Sequence, residues 1–184
     1  IDLLVGIPGR VIVSGVGNTF LLLPETQKPY RVSIKWDLSV LASGATATSS
    51  HGDGDVDLPA GPVARLSSTV FMAGPMKRYP SQPGSAFSTA WMGSPPFDPT
   101  PLAEWADKLH SWMSVFFKDQ AEPPYRVFLR YNPINAGGGA ALPNSFLATY
   151  GSTGSADALR GTIAHEMTHT WTSAGGPGQW YGEG

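Results

Sequence analysis

The chain has 184 residues, enough for one large or two small domains, and 41% of them are hydrophobic, so it can bury a core. Charged residues make up only 14% and the net charge is −2, which argues against a nucleic-acid-binding surface. No apolar run is long enough for a membrane span, no signal peptide is recognisable at Ile1, and a chain without cysteine forms no disulfide.

The first part of the chain is predicted to form short β-strands separated by turns. Apolar or alternating runs that predict strands occur at residues 11–13, 20–23, 32–38 and 69–72. Val32, Ile34 and Trp36 alternate with polar residues, as in a half-buried strand. The Asp/Gly-rich segment 51–57 lacks the Gly and Glu that a calcium loop requires, and it predicts a turn. We therefore expect a β-rich N-terminal domain over residues 1–96.

A second domain is predicted over residues 97–184. The preceding stretch, residues 74–101, is rich in Pro, Gly and Ser and indicates a long connection at a domain boundary. Thr100 is predicted to cap a helix that has Pro101 at its first position. Apolar residues at helical spacing predict the core face of this helix: Leu102, Trp105, Ala106, Leu109, Trp112, Met113 and Phe116. His110 is assigned to the polar side and is expected to be solvated.

A glycine-rich segment follows the strand predicted at residues 125–131. Gly138, Gly139 and Ala140 lead towards an apolar run at residues 146–150. Because glycine lets a backbone approach other groups closely, these three residues are candidates for binding an extended peptide along a strand edge. The alternative is an ordinary flexible loop before a core strand.

The most specific pattern is His165-Glu166-Met167-Thr168-His169 on a predicted helix. Residues four apart share one helix face, so His165 and His169 can bind one metal ion. A carboxylate beside the first ligand, here Glu166, can take a proton from zinc-bound water. The alternative is a polar, solvated helix face that happens to carry two His and one Glu.

The helix around this motif has recognisable ends. Ser155 or Asp157 can cap its start, and the Gly-Gly-Pro segment at residues 175–177 is predicted to end it. Two His leave a zinc site one protein ligand short, and a downstream carboxylate is one known completion. Glu183 is the only acid after Glu166, so it is the candidate third ligand. Its alternative is a solvated side chain in a frayed tail.

Together these residues resemble a gluzincin zinc metallopeptidase, and in particular the glycyl-aminopeptidase family and its bacterial relatives. Three blocks carry the resemblance: the zinc helix with Trp171 two residues after the second His, the aromatic-x-x-Glu-Gly ending at residues 180–184, and the glycine segment closed by Asn-Ser at residues 138–145. The resemblance implies an α+β fold, in which the β-rich N-terminal domain is followed by the first half of a thermolysin-like α/β catalytic domain. The remainder of that catalytic domain is then expected beyond Gly184.

The resemblance also assigns roles to individual residues. It implies that His165, His169 and Glu183 bind Zn²⁺, that Glu166 is the general base, and that the substrate is a peptide. Related aminopeptidases keep a Glu in the glycine segment that holds the substrate's amino group, and this chain has none at that place. This absence favours cleavage within peptides, or a relaxed aminopeptidase whose acid lies beyond Gly184.

Two other functional classes stay open. One is a non-catalytic peptide-binding or scaffold protein that retains a gluzincin fold, although such a protein has no need of Glu166. The other is a zinc hydrolase that acts on non-peptide bonds. The composition agrees weakly with a periplasmic or secreted protein, and the compartment itself is left undetermined.

Overall fold

A computed structural model describes residues 12–81, 85–119 and 124–172. The strands in this part of the chain are β1 (Val13–Val16), β2 (Pro29–Ile34), β3 (Thr46–Ser49), β4 (Gly52–Asp53), β5 (Val56–Pro62), β6 (Val70–Gly74), β7 (Met76–Tyr79), β8 (Phe87–Met92), β9 (Tyr125–Tyr131), β10 (Gly139–Leu142) and β11 (Ser145–Tyr150). The α-helices are α1 (Pro99–Phe116) and α2 (Ala156–Thr172). Mixed α+β architecture with a high strand content is thereby confirmed.

A five-stranded sheet with the order β10-β11-β9-β8-β7 organises the second half of the chain. Its three central strands, β8, β9 and β11, run parallel, and the two edge strands pair antiparallel. Alternate residues of β9 point to opposite faces, so Val127 and Leu129 pack with Leu102 and Ile163 of the helices, whereas Phe128 joins a separate cluster. Both faces of this sheet are therefore buried, as is usual for parallel strands.

A four-stranded sheet, β1-β6-β3-β4, covers the face opposite to the helices. Val70 and Met72 of β6 pack against Phe128 and Leu147 in one buried cluster. A two-stranded sheet of β2 and β5 packs beside it around its own small core. Helices, central sheet and N-terminal sheet therefore form three layers, and the described residues contain no helix apolar and long enough to cross a membrane.

One ion-pair network joins the two larger sheets. Asp53 of β4 accepts from the guanidinium of Arg78 on β7 at 2.9 Å and from that of Arg126 on β9 at 3.0 Å. All three side chains are largely buried, and the Thr48 hydroxyl also bonds to Asp53 at 2.8 Å. Removal of one partner would leave a buried charge unpaired, so loss of any member of this network is expected to destabilise the fold.

The prediction of a long connection at residues 74–101 is wrong. Strands β7 and β8 occupy most of this segment, and both belong to the sheet of β9 and β11. Among the described residues, most of the Pro, Gly and Ser that suggested a loop lie beside the strand ends, at Pro75, Pro80, Ser81, Gly93 and Ser94. The division of the chain after residue 96 stays a prediction, and the sheet membership of β7 and β8 favours a boundary nearer to Met76.

Helix α1 differs from its prediction at the cap and at one histidine. Its N-cap is Asp98, whose carboxylate accepts the Thr100 N–H, so the helix begins before Thr100. His110 is fully buried, at 0% exposure, and not solvated as expected. It lies four residues after Ala106 and three before Met113, so helical spacing places it on the buried face despite its polarity. Trp112, assigned to the core face, is instead 58% exposed.

Candidate metal centre

Helix α2 forms for reasons that are visible in the sequence. The hydroxyl of Ser155 accepts the N–H of Ala158 at 3.3 Å, so of the two candidate caps it is Ser155 that satisfies a free amide. Leu159, Ile163 and Met167 form a buried stripe at four-residue spacing against the sheet, as predicted. This stripe fixes the rotation of α2 about its axis. The face bearing the motif therefore lies at the edge of the core.

The two histidines of the motif meet on this face. Their Nε2 atoms lie 3.2 Å apart, and the rings are nearly perpendicular, with 4.9 Å between centroids. Two nitrogens that bind one tetrahedral zinc ion at about 2.0–2.1 Å lie roughly 3.3 Å from each other. The observed spacing therefore fits a shared ion, and no movement of the helix backbone is required. A direct N–H···N hydrogen bond between the rings has a similar length, so a metal measurement must separate the two.

Glu166 completes the only group of metal-binding type found in the part of the chain that the structure describes. Ligand atoms of His165, Glu166 and His169 all lie within 4.8 Å of one another. The three side chains are reached by solvent, so an ion and a water molecule can enter. Tyr125 at the start of β9 lies near this carboxylate: burial, and then the negative charge of Glu166, raise the pKa of its hydroxyl.

The third predicted ligand is not among the described residues. Glu183 is outside the described residues, as is the Gly-Gly-Pro segment that was predicted to end α2. Its assignment as a zinc ligand therefore stays a prediction. Two nitrogen ligands on one helix face agree with a site completed by a residue from another segment, because α2 has no further His, Asp or Glu next to them.

The predicted peptide-binding segment forms the edge strand β10. The Thr149 N–H donates to the Gly138 carbonyl at 2.9 Å, which fixes the pairing with β11. In an antiparallel pair the hydrogen-bonding residues alternate, so Ala140 directs its N–H and C=O towards β11. Gly139 and Ala141 direct theirs to the outer edge of the sheet, where no strand of the described residues pairs with β10. The geometry thus favours Gly139 and Ala141 as the residues that offer main-chain groups to a ligand.

Gly139 of β10 and Gly138, which precedes the strand, have a packing reason of their own. A β-carbon on Gly139 would lie 2.6 Å from the Leu147 carbonyl oxygen and would overlap the Phe146 ring. A β-carbon on Gly138 would lie 2.6 Å from Oδ1 of Asn135. The close backbone approach expected from glycine is therefore an approach to β11 and to the preceding loop. Its use by a substrate stays a prediction.

The direction of α2 places the metal motif at one end of the sheet. Its last described turn contacts the starts of the strands, because Trp171 faces His110, and His110 in turn faces Phe87 of β8 and Tyr125 of β9. The start of β11, Ser145, pairs with Leu142 of β10, and Ala141 pairs with the next residue, Phe146. Ala141 is therefore nearer to the motif than Gly138 along the strand.

Sequence reasoning missed the partners of Trp171. Its indole N–H donates to the Asp119 carboxylate at 3.0 Å, and its ring stacks on Phe117 with 5.4 Å between centroids. The sequence shows Trp171 two residues after the motif, but nothing in a single sequence pairs it with residues about fifty positions earlier. The buried hydroxyl of Tyr125 likewise gave no local indication that it lies near Glu166.

Comparisons with known proteins agree with this fold at low sequence identity. No protein-family model matches the chain, and no curated protein matches it. Among solved structures, an aminopeptidase N family protein from Idiomarina loihiensis is similar, with a TM-score of 0.53 at 12% identity over 71% of this chain and 25% of that one. The chain therefore spans about a quarter of that protein, and the likeness shows a shared fold.

Two further structures have lower scores. Yeast LTA4 hydrolase gives a TM-score of 0.48 at 16% identity over 78% of this chain and 22% of its own. An M1 zinc metallopeptidase from Deinococcus radiodurans gives 0.39 at 13% identity over 77% of this chain and 33% of its own.

Proposed function

We propose that this chain carries part of the catalytic domain of a zinc-dependent peptidase that resembles the gluzincins. The observation that supports it most is the 3.2 Å spacing of the two Nε2 atoms, with a carboxylate beside them on the same helix. His165 and His169 would hold the ion, and Glu183 would complete the protein ligands. The shared fold with an aminopeptidase N family protein supports the proposal at the level of architecture.

In this proposal, different residues of the chain have different roles in hydrolysis. A bound zinc ion supplies Lewis-acid polarisation of the scissile carbonyl and lowers the pKa of water. Glu166 accepts a proton from the attacking water and passes it to the leaving amine, as a general base and then a general acid. The open edge of β10 binds the peptide in extended form through the main chain of Gly139 and Ala141.

The direct test replaces the proposed base and a proposed ligand separately. Glu166→Gln should retain the metal and lose roughly 10²–10⁴-fold in peptide hydrolysis, because an amide cannot take a proton at neutral pH. His165→Ala should lose metal and activity together. The measurements are zinc content by emission spectroscopy and the rate of peptide cleavage by the full-length protein. Glu104→Gln, on the exposed side of α1, is the matched control and should leave both unchanged.

The outcomes separate the competing functions. Wild-type turnover in Glu166→Gln would show that Glu166 is not the base. Zinc and peptide binding without any turnover in the wild type would favour the non-catalytic peptide-binding alternative. Hydrolysis of esters or other non-peptide bonds, with peptides left intact, would favour the third class.

A further inference from the structure

Helices α1 and α2 run in the same direction and are tied together near both ends. Near their starts, the Arg160 guanidinium lies 5.5 Å from the centroid of the Trp105 ring. Near their ends, the Trp171 indole N–H donates to the Asp119 carboxylate at 3.0 Å. The metal motif lies between these two ties and much closer to the second.

At the second contact, the indole of Trp171 meets three residues: Phe117, His110 and Asp119. Phe117 stacks on Trp171 with an interplanar angle of 7°, and the buried ring of His110 lies 5.7 Å away. Phe117 and Asp119 are fixed to the end of α1. The N–H of Phe117 donates to the Met113 carbonyl at 2.8 Å, and the N–H of Asp119 donates to the Ser114 carbonyl at 2.9 Å. We refer to Phe117, Asp119 and Trp171 together as the clamp.

The clamp lies two residues beyond the second metal-binding histidine. His169 lies two residues before Trp171 on α2, so contacts that hold Trp171 also hold the turn that carries His169. Trp171 supplies an aromatic stack and a charge-assisted hydrogen bond there, and a bond of this kind is among the stronger ones in proteins.

We propose that Trp171 is a positioning residue for the metal site: through the clamp it keeps the turn of His169 helical, and so holds the two Nε2 atoms at ligand spacing. This inference rests on the proposed zinc function. Without the clamp, metal binding would have to order this turn, and the free energy spent on ordering would lower the affinity for the metal. With the clamp in place, the Nε2 atoms of His165 and His169 are already at ligand spacing before the metal binds.

The experiment titrates the full chain with Co²⁺, whose visible absorption reports the geometry of the ligands. Trp171→Phe keeps an aromatic ring for Phe117, and it removes the N–H together with one of the two fused rings. It should weaken Co²⁺ binding roughly tenfold, as is typical for residues that orient metal ligands, and should change the spectrum. Asp119→Ala, which leaves the indole in place, should act in the same direction. Asp119→Asn keeps an acceptor oxygen and should restore most of the affinity.

The matched control is Trp112→Phe. Trp112 lies on α1, stacks on Phe116 at 5.2 Å and is largely exposed, so its replacement by Phe should leave Co²⁺ binding unchanged. A role in stability alone would lower Tm in Trp171→Phe and leave affinity and spectrum as in the wild type. That result would overturn the proposal.

Amide hydrogen exchange of the metal-free chain separates this inference from the proposed function. If the wild type binds no Co²⁺, the zinc proposal fails and with it the positioning of a metal. Exchange at residues 168–172 still tests whether the clamp orders this turn. Faster exchange in Trp171→Phe than in Trp112→Phe shows that Trp171 orders it. Equal exchange in the two variants overturns the clamp itself.

Discussion

Replacing Gly139 by alanine distinguishes a packing role from a ligand-binding role for the glycine of β10. The added β-carbon would lie 2.6 Å from the Leu147 carbonyl oxygen and would overlap the Phe146 ring, and neither group is the end of a flexible chain. Crowding of this kind costs roughly 1–3 kcal/mol. For a chain of this length, that corresponds to a fall in Tm of about 2–12 °C.

The control for this substitution is Gly161→Ala in α2. A β-carbon at Gly161 meets nothing within 4 Å, and the residue is exposed in the middle of the helix. Alanine should therefore stabilise the protein by about 0.8–1.0 kcal/mol through helix propensity alone. Thermal or urea unfolding of both variants measures the two effects. If Gly139→Ala were as stable as the wild type, the packing argument would be refuted, and a substrate-binding reason for the glycine would gain support.

Two further predictions follow from the site and its surroundings. With Ala141 at the open edge and no carboxylate in the glycine segment, a peptide and its N-acetylated twin should be cleaved at similar rates, and Ala141→Glu should create a preference for the free amine. A strong wild-type preference for the free amine would instead indicate an acid outside this segment. Burial, and then the neighbouring Tyr131, raise the pKa of Tyr150 from 10.0 to about 12. Its hydroxyl therefore stays protonated to a higher pH in the folded state than in the unfolded state. The contribution of Tyr150 to stability is therefore complete below pH 10 and lost as the pH rises towards 12, and Tyr150→Phe should flatten that part of the stability curve.

The metal helix was predictable because its determinants are local. Cap, buried stripe and ligand spacing all lie within about fifteen residues, and each follows from helical periodicity. His110 shows the limit of that reasoning, since residue polarity was given more weight than its spacing to Ala106 and Met113. Burial of an imidazole depends on the rings around it, and those come from β8, β9 and α2.

Features that depend on distant pairing were not predictable. Strands β7 and β8 are short and flanked by Pro and Gly, and only their pairing with each other and with β9 makes them strands. The clamp joins Trp171 to Asp119, and the sheet-to-sheet network joins Asp53 to Arg78 and Arg126. A single sequence carries no trace of such pairings, because each residue alone has an ordinary surface character.

The two edges of the central sheet differ in a way that bears on where a peptide would bind. Exposed edges are templates for strand addition, and proteins protect them with charge. Edge strand β7 carries exposed Lys77, and Arg78 is held by Asp53, so a peptide strand there would meet fixed cations. Edge strand β10 has only small and apolar side chains and has its ends fixed by β11 and by the Asn144 turn. Helix α2 packs against β11, so this edge and the helix of the His165–His169 motif lie on the same side of the sheet, as the proposed binding of an extended peptide requires.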